Sequence, residues 1–316
     1  MYPKIGNMYD KIKLWMPRTR DMTDILQYLD GGSEITDIKT GESRAFGCIE
    51  NLKASVYVGG ISICGSLAKY LYNGSNIYPL DRHTTKQAIE KISDSLHIEV
   101  NDAKVTAMEV GANFSMKHAP TEYIRRLGEM PRMARFSIEA KSVYYKGLGR
   151  KQPKAFTFYD KDAEALTKGM EHPPIDNILR YEMRLNGRLP QQTGFNVVKA
   201  SSLYDNAFYR KLVRMLQDYY FSISKSKQLK TNVMGDIKTV GDAYDAFVAQ
   251  LIGTVGKDRI QRFLDELKNE RVFDDRKNYT RLKAKIEAVS NKADITVSDE
   301  LINELDDEIR NFGAYV

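Results

Sequence analysis

Tyr159 sits in "KAFTFYDKDAE", residues 154–164, where an alternating stretch gives way to helix-forming residues. Read with a period of two, Phe156, Phe158 and Asp160 share one face, and Thr157, Tyr159 and Lys161 share the other. Asp160 can also cap the helix that follows. Two further alternating stretches carry polar faces of their own. "KVTAMEVGANFSM" brings Glu109 and Asn113, and "NILRYEMRLNG" brings Arg180, Glu182 and Arg184. Two strand-borne carboxylates beside a tyrosine and a lysine are parts from which a phosphodiester-cleaving site can be built. Glu109 and Glu182, with Asn113 as a direct or water-mediated contact, would hold a hard divalent cation such as Mg²⁺ or Mn²⁺ through oxygen. The cation would polarise a phosphate oxygen, and the phenol oxygen would attack phosphorus. A free tyrosine ionises only at about pH 10, so it needs a cation or a base beside it. Lys161 or Arg184 can bind the phosphate or stabilise the phenolate. A plainer pattern fits the same residues: Glu and Arg alternating on a strand also describe a solvated sheet face, and a tyrosine near a strand end commonly packs.

Strands must bring these side chains together. Residues 9–16 alternate, Ile12, Leu14 and Met16 against Lys11, Lys13 and Trp15, and Pro17 ends the strand. A short helix is predicted over 21–29. Two strands are predicted within 44–72, joined at Gly59-Gly60 and closed by "NGSN". Residues 84–97 predict an amphipathic helix with Thr84 or Thr85 as cap and Ala88, Ile89, Ile92 and Leu96 as its apolar stripe. There follow a strand over 104–116, a short helix over 120–128, a strand over 135–146, a basic loop "GLGRKQP", a helix over 161–169 and a strand over 177–187. After about residue 198 helical periodicity takes over, in four or more amphipathic segments that stop at Gly or Asn. The expectation is an α+β chain: an antiparallel-sheet domain over 1–200, then a mainly helical domain over 201–316. Arg150, Lys151 and Lys154, in and just after the basic loop, are the candidate contacts to backbone phosphates, together with Arg180 and Arg184.

The net charge of +6 is compatible with a polyanionic partner without demanding one. Three basic clusters in one part of the chain, around residues 117–135, 144–154 and 209–215, shift the reading toward nucleic acid. No apolar run approaches the roughly 20 residues of a membrane helix, and the first residues show no apolar signal core, so a cytoplasmic protein is expected. The two cysteines, Cys48 and Cys64, lie in apolar strand-like stretches and read as buried thiols. His83, His97, His118 and His172 form no zinc-type pair.

The order of the blocks adds a resemblance. "VTAMEVGANF", "SVYYKG", "FTFYDKDAEA" and "LRYEMRL" together resemble the rolling-circle replication initiation proteins of phages and plasmids, in particular the gene II/X-type group, with a wider likeness to the plasmid replication initiation factor family. The resemblance covers about residues 9–190. In those families the first block has a Thr-Arg-Leu-Asp-type core; here Thr106 matches, Ala107 stands where arginine is usual, Glu109 takes the acidic position, and Asn113 falls where plasmid members often carry a second acid. The aromatic–Tyr–Asp–Lys block matches Phe158 to Lys161 and the Arg–x–Glu strand matches Arg180 to Glu182. The resemblance implies a relaxase-like nicking domain in which Tyr159 is the nucleophile, with Tyr144 and Tyr145 as rivals. It implies a nicking-joining endonuclease acting on a single-stranded or hairpin origin, with a divalent metal, a host helicase as partner and a homodimer as one assembly. A mobilisation relaxase, or a non-catalytic DNA-binding protein on the same fold, is the alternative.

Overall fold

The computed structural model describes residues 8–17, 25–76, 78–139, 141–149, 152–167, 169, 176–225, 227–229, 237–255, 257–291 and 296–314. Ten strands form one antiparallel sheet in the order β2-β3-β4-β5-β1-β6-β10-β9-β8-β7. They are β1 (Tyr9–Pro17), β2 (Asp30–Thr36), β3 (Ser43–Ile49), β4 (Leu52–Tyr57), β5 (Gly60–Ser66), β6 (Lys104–Ser115), β7 (Met133–Ile138), β8 (Ser142–Gly147), β9 (Lys154–Asp160) and β10 (Ile178–Asn186). The expected α+β class with antiparallel pairing is observed. β6, β10 and β9, the strands with the candidate polar faces, are consecutive neighbours near its middle.

Three predicted elements divide. The second strand expected within 44–72 ends at Ser66, whose side chain caps a short helix, Leu67–Leu71, by accepting from Lys69 N. "RAFGCIENLKASVYVG" was expected as one strand and folds as the β3–β4 hairpin, turning at Glu50, which takes the left-handed conformation (φ 52°). "RFSIEAKSVYYK" likewise forms the β7–β8 hairpin, with Glu139 left-handed at the turn (φ 50°) and Lys141 N donating to Ile138 O. At neither left-handed position does the sequence carry the Gly or Asn that marks such a bend. The helix predicted over 84–97 is observed as Arg82–Leu96, but its cap is Asp81, whose carboxylate accepts from Thr84 N at 2.7 Å. It follows the short helix α1 (Leu67–Leu71) and is numbered α2. The helices α3 (Pro120–Ile124), α4 (Lys161–Thr167) and α5 (Leu189–Thr193) punctuate the strands. Cys48 and Cys64 are free thiols, half-buried rather than buried.

One sheet face is apolar. Phe156, Phe158, Tyr181 and Met183 are fully buried there, each contributing about 1.5–3 kcal/mol. Helix α6 (Asn206–Ser222) covers them: Phe158 stacks on Tyr181 (centroids 4.2 Å apart), whose hydroxyl donates to Leu216 O. The four helices expected near the C-terminus are present as α7 (Val240–Val255), α8 (Lys257–Asn269), α9 (Arg276–Asn291) and α10 (Glu300–Asn311). Helix α10 joins the same core through Ile302, Leu305 and Ile309, and Tyr220 of α6 donates to its Asp306. The hydrophobic core thus includes residues on both sides of residue 200. The other sheet face, over β1, β6, β10, β9 and β8, is polar and carries the site.

Candidate active site

Strand parity places the polar side chains. On β6, Val110 and Ala112 enter the core, so Glu109, Gly111 and Asn113 face the other way. On β10, Arg180, Glu182 and Arg184 share that face, and on β9 Thr157 and Tyr159 do. Glu109, Thr157, Tyr159, Glu182 and Arg184, together with Asp10 and Lys161, line a cleft of about 750 Å³.

Arg180 is the centre. Its guanidinium is fully buried, and its donors span three strands: Nε to Glu182 Oε1 (2.6 Å), Nη1 to Asn113 Oδ1 (3.0 Å) and Nη2 to Asp10 Oδ2 (2.9 Å). Asp10 is held in turn by Ser66 Oγ (2.6 Å) and Asn76 Nδ2 (3.3 Å). Burial raises the Asp10 carboxyl, but the Arg180 charge and these hydrogen bonds outweigh it and leave the group below its ordinary range. Room for the guanidinium comes from Gly111. A Cβ there would lie 2.8 Å from Arg180 Nη2 and 3.1 Å from Cζ, and the three bonds prevent the fork from swinging aside. Gly111→Ala is therefore expected to cost about 1–3 kcal/mol of stability in urea denaturation; native stability would show that the network yields.

The Tyr159 hydroxyl donates to Glu182 Oε1 at 2.9 Å, beside the Arg180 Nε bond. Burial pushes the phenol well up; the Arg180 charge opposes this, and Glu182, Glu164 and Asp10 add to it. At rest the phenol is protonated, and the group placed to receive its proton is Glu182. Strand β9 ends at Asp160, whose Oδ1 accepts from Asp162 N and Ala163 N (both 3.0 Å), the capping role its position suggested. Lys161 therefore opens α4 rather than extending the strand. It still reaches the cleft, with Nζ 5.8 Å from the Tyr159 ring centroid and donating to Glu164 Oε2 (2.7 Å). Burial, then the Arg180 charge, lowers its pKa.

Residues 49–204 match the family model of the N-terminal part of the phage gene II replication-associated protein. That segment belongs to a family of phage rolling-circle replication initiators. No curated protein matches the chain. The part of the chain matching the initiator family holds Glu109, Tyr159, Lys161, Arg180 and Glu182, whereas Asp10 lies outside it and joins the same network through Arg180.

Several expected roles change in the folded protein. Arg180 does not face DNA: it is enclosed, and its donors are committed to Glu182, Asn113 and Asp10. Asn113 is buried, its oxygen accepts from Arg180, and its Nδ2 has no partner among the described residues, so it does not offer the cleft a cation ligand. Lys154 shares the parity of Phe156 and turns to the helix-covered face, where its Nζ donates to the Tyr219 hydroxyl. Arg150 and Lys151 lie outside the described residues. Arg184 is half-exposed in the cleft and donates to Glu109 Oε1 (2.5 Å). Tyr145 is buried on the helical face with its hydroxyl on Gly128 O (2.8 Å), while Tyr144 lines the cleft. His118 is exposed beside α3 and outside the cleft lining.

For a metal, Glu109 and Glu182 share one face and offer the oxygen donors a hard cation takes. Burial raises the Glu109 carboxyl, Arg184 opposes this, and the charges of Glu182 and Asp10 raise it further. This crowding of negative charge is what a cation would relieve. Among the described residues, however, no group of three His, Cys, Asp or Glu gathers as a ready-made ligand set, and each carboxylate already holds an arginine. Among the described residues no helix is long and apolar enough to cross a membrane.

Proposed function

We propose that this chain nicks one strand of DNA and rejoins it through a covalent phosphotyrosine at Tyr159. The observation that carries the reading is the Tyr159 hydroxyl donating to Glu182 in an open cleft, within the segment that belongs to the initiator family. In the step, Tyr159 Oη bonds to phosphorus as its proton passes to Glu182, and the bond from phosphorus to the 3′ oxygen breaks. That oxygen takes a proton and leaves as a 3′ hydroxyl, free to prime synthesis. The 5′ phosphate stays on the tyrosine, so the bond energy is kept and the reverse step reseals the strand. Arg180 orients Glu182, and Lys161 offsets phosphate charge. The target is single-stranded or looped at the cleavage point, because a strand in duplex gives the tyrosine poor access.

Glu109 and Glu182 are the residues that would hold a Mg²⁺ or Mn²⁺ ion, with the buried Asn113 standing behind them. When bound, the ion supplies polarisation of the phosphate and favours the phenolate. Glu109→Gln and Glu182→Gln are expected to lower nicking by about a hundredfold, on the order of the loss of one transition-state contact, while single-strand affinity stays nearly unchanged. Mn²⁺ should also raise the melting temperature of the unaltered protein and not of these variants; an equal rise in all three would remove both residues from the metal. A non-catalytic DNA-binding protein is favoured by one observation, the arginine on each carboxylate. The decisive assay incubates the full chain with Mn²⁺ and single-stranded DNA and looks for a covalent adduct on a denaturing gel. A chain that binds the strand and never forms the adduct is the non-catalytic one.

A further inference from the structure

The cleft continues past Tyr159 onto the outer strands, where the surface changes character. In the β7–β8 hairpin Phe136 stands directly opposite Tyr144, and Tyr144 stands opposite Thr157 of β9. Parity puts Phe136, Tyr144 and Lys146 on the cleft face, since Val143 and Tyr145 between them are buried on the other. Phe136 is 51% exposed on the last strand of the sheet, and Lys146 Nζ lies 5.8 Å from both ring centroids. An edge strand is usually protected by charge or by cover. This one leaves an aromatic face in water, continuous with the cleft through Tyr144 and Lys146.

We propose that Phe136 and Tyr144, flanked by Lys146, are a stacking platform for an unpaired nucleobase of the strand held at Tyr159. The proposal rests on the reading of the cleft as a single-strand DNA site and extends it to how that strand is gripped. Aromatic faces bind bases of any identity because every base has a π-face, and a neighbouring cation holds the backbone. Paired bases hide their faces in the stack, so the platform selects single-stranded over duplex DNA at the nicking site. Ser142, the next cleft-facing residue of β8, pairs with Tyr159 itself, so a base on Tyr144 belongs to a nucleotide close to the scissile phosphate. Tyr144 then has a role distinct from that of a second nucleophile.

The test uses the full chain, metal-free, and a single-stranded oligonucleotide in which an abasic site is moved one position at a time. Anisotropy reads affinity for the unaltered protein and for Phe136→Thr/Tyr144→Thr, in which Thr keeps the strand propensity. One position, or two adjacent ones, is expected to cost the unaltered protein roughly tenfold and the double variant nothing. Lys146→Gln should flatten the salt dependence by about one unit. Equal abasic penalties in both proteins would overturn the platform, as would undiminished affinity of the variant, which would return Phe136 to a partner other than nucleic acid. If the double variant fails to fold, 2-aminopurine scanned along the oligonucleotide with the unaltered protein decides. A quench confined to one or two positions supports the platform, and uniform fluorescence overturns it. A position-specific penalty, with no covalent adduct in the separate Mn²⁺ assay, would keep the platform and sink the nicking reaction. An adduct without a position-specific penalty would do the opposite.

Discussion

Tyr159→Phe is expected to abolish both nicking and the covalent adduct while leaving the fold and single-strand affinity nearly intact. The substitution removes one oxygen. It loses the hydrogen bond to Glu182, a contribution of about 1–2 kcal/mol, but strands no buried partner, because Glu182 keeps Arg180. The ring stays in place beside Lys161. No other tyrosine of the central strands can substitute from its observed position: Tyr145 and Tyr181 are enclosed on the helical face with their hydroxyls on backbone carbonyls. Tyr144 shares the cleft, but no hydrogen bond to a carboxylate is present at its hydroxyl among the described residues. Adduct formation on a denaturing gel is the measurement. An adduct that survives Tyr159→Phe and disappears in Tyr144→Phe would move the nucleophile to β8 and make Tyr159 a packing residue.

Arg180→Met should be the most damaging single change to stability around the site, at roughly 3–5 kcal/mol, the usual cost of removing one partner from a buried ion pair. Asp10 and Glu182, 13% and 14% exposed, would face each other with no cation between them. Urea denaturation reads the loss, and a cost below about 1 kcal/mol would show that the network is not held by this guanidinium. Arg180→Lys separates charge from geometry. A lysine restores a positive charge but not a planar fork able to reach Glu182, Asn113 and Asp10 together. It should recover part of the stability and still form adduct slowly, because Glu182 loses its orientation against Tyr159. That split between stability and rate would distinguish a positioning residue from a purely structural one.

These two residues also divide what sequence and tertiary structure contribute. The period-two alternation of "FTFYDK", "VTAMEVGANF" and "LRYEMRL" was enough to establish strands, their buried faces, and the common side of Glu109, Tyr159 and Glu182, because side-chain parity is a local property of an extended backbone. The late change to helical period likewise located the C-terminal helices. Arg180 was visible as a member of the polar face, yet its role was not. Alternation says which face a side chain takes and nothing of how deep that face is, and here the side chains of Asp10, Asn113 and Glu182 engage the guanidinium, which is fully buried over Gly111. Asp10 was hidden for a related reason. Simple alternation groups it with Ile12, Leu14 and Met16, but the β1–β6 register shifts between Tyr9 and Ile12, and this irregularity turns Asp10 to the cleft with Lys11. The left-handed β7–β8 turn position, Glu139, is not a turn-forming residue type, so the pairing of Phe136 with Tyr144 existed only once the hairpin had folded. The extent of the core was also beyond local reading. The amphipathic stripe of α10 showed that this helix needed a partner surface, and only the tertiary structure decided that this surface was the core that α6 shares with the sheet beneath Tyr159.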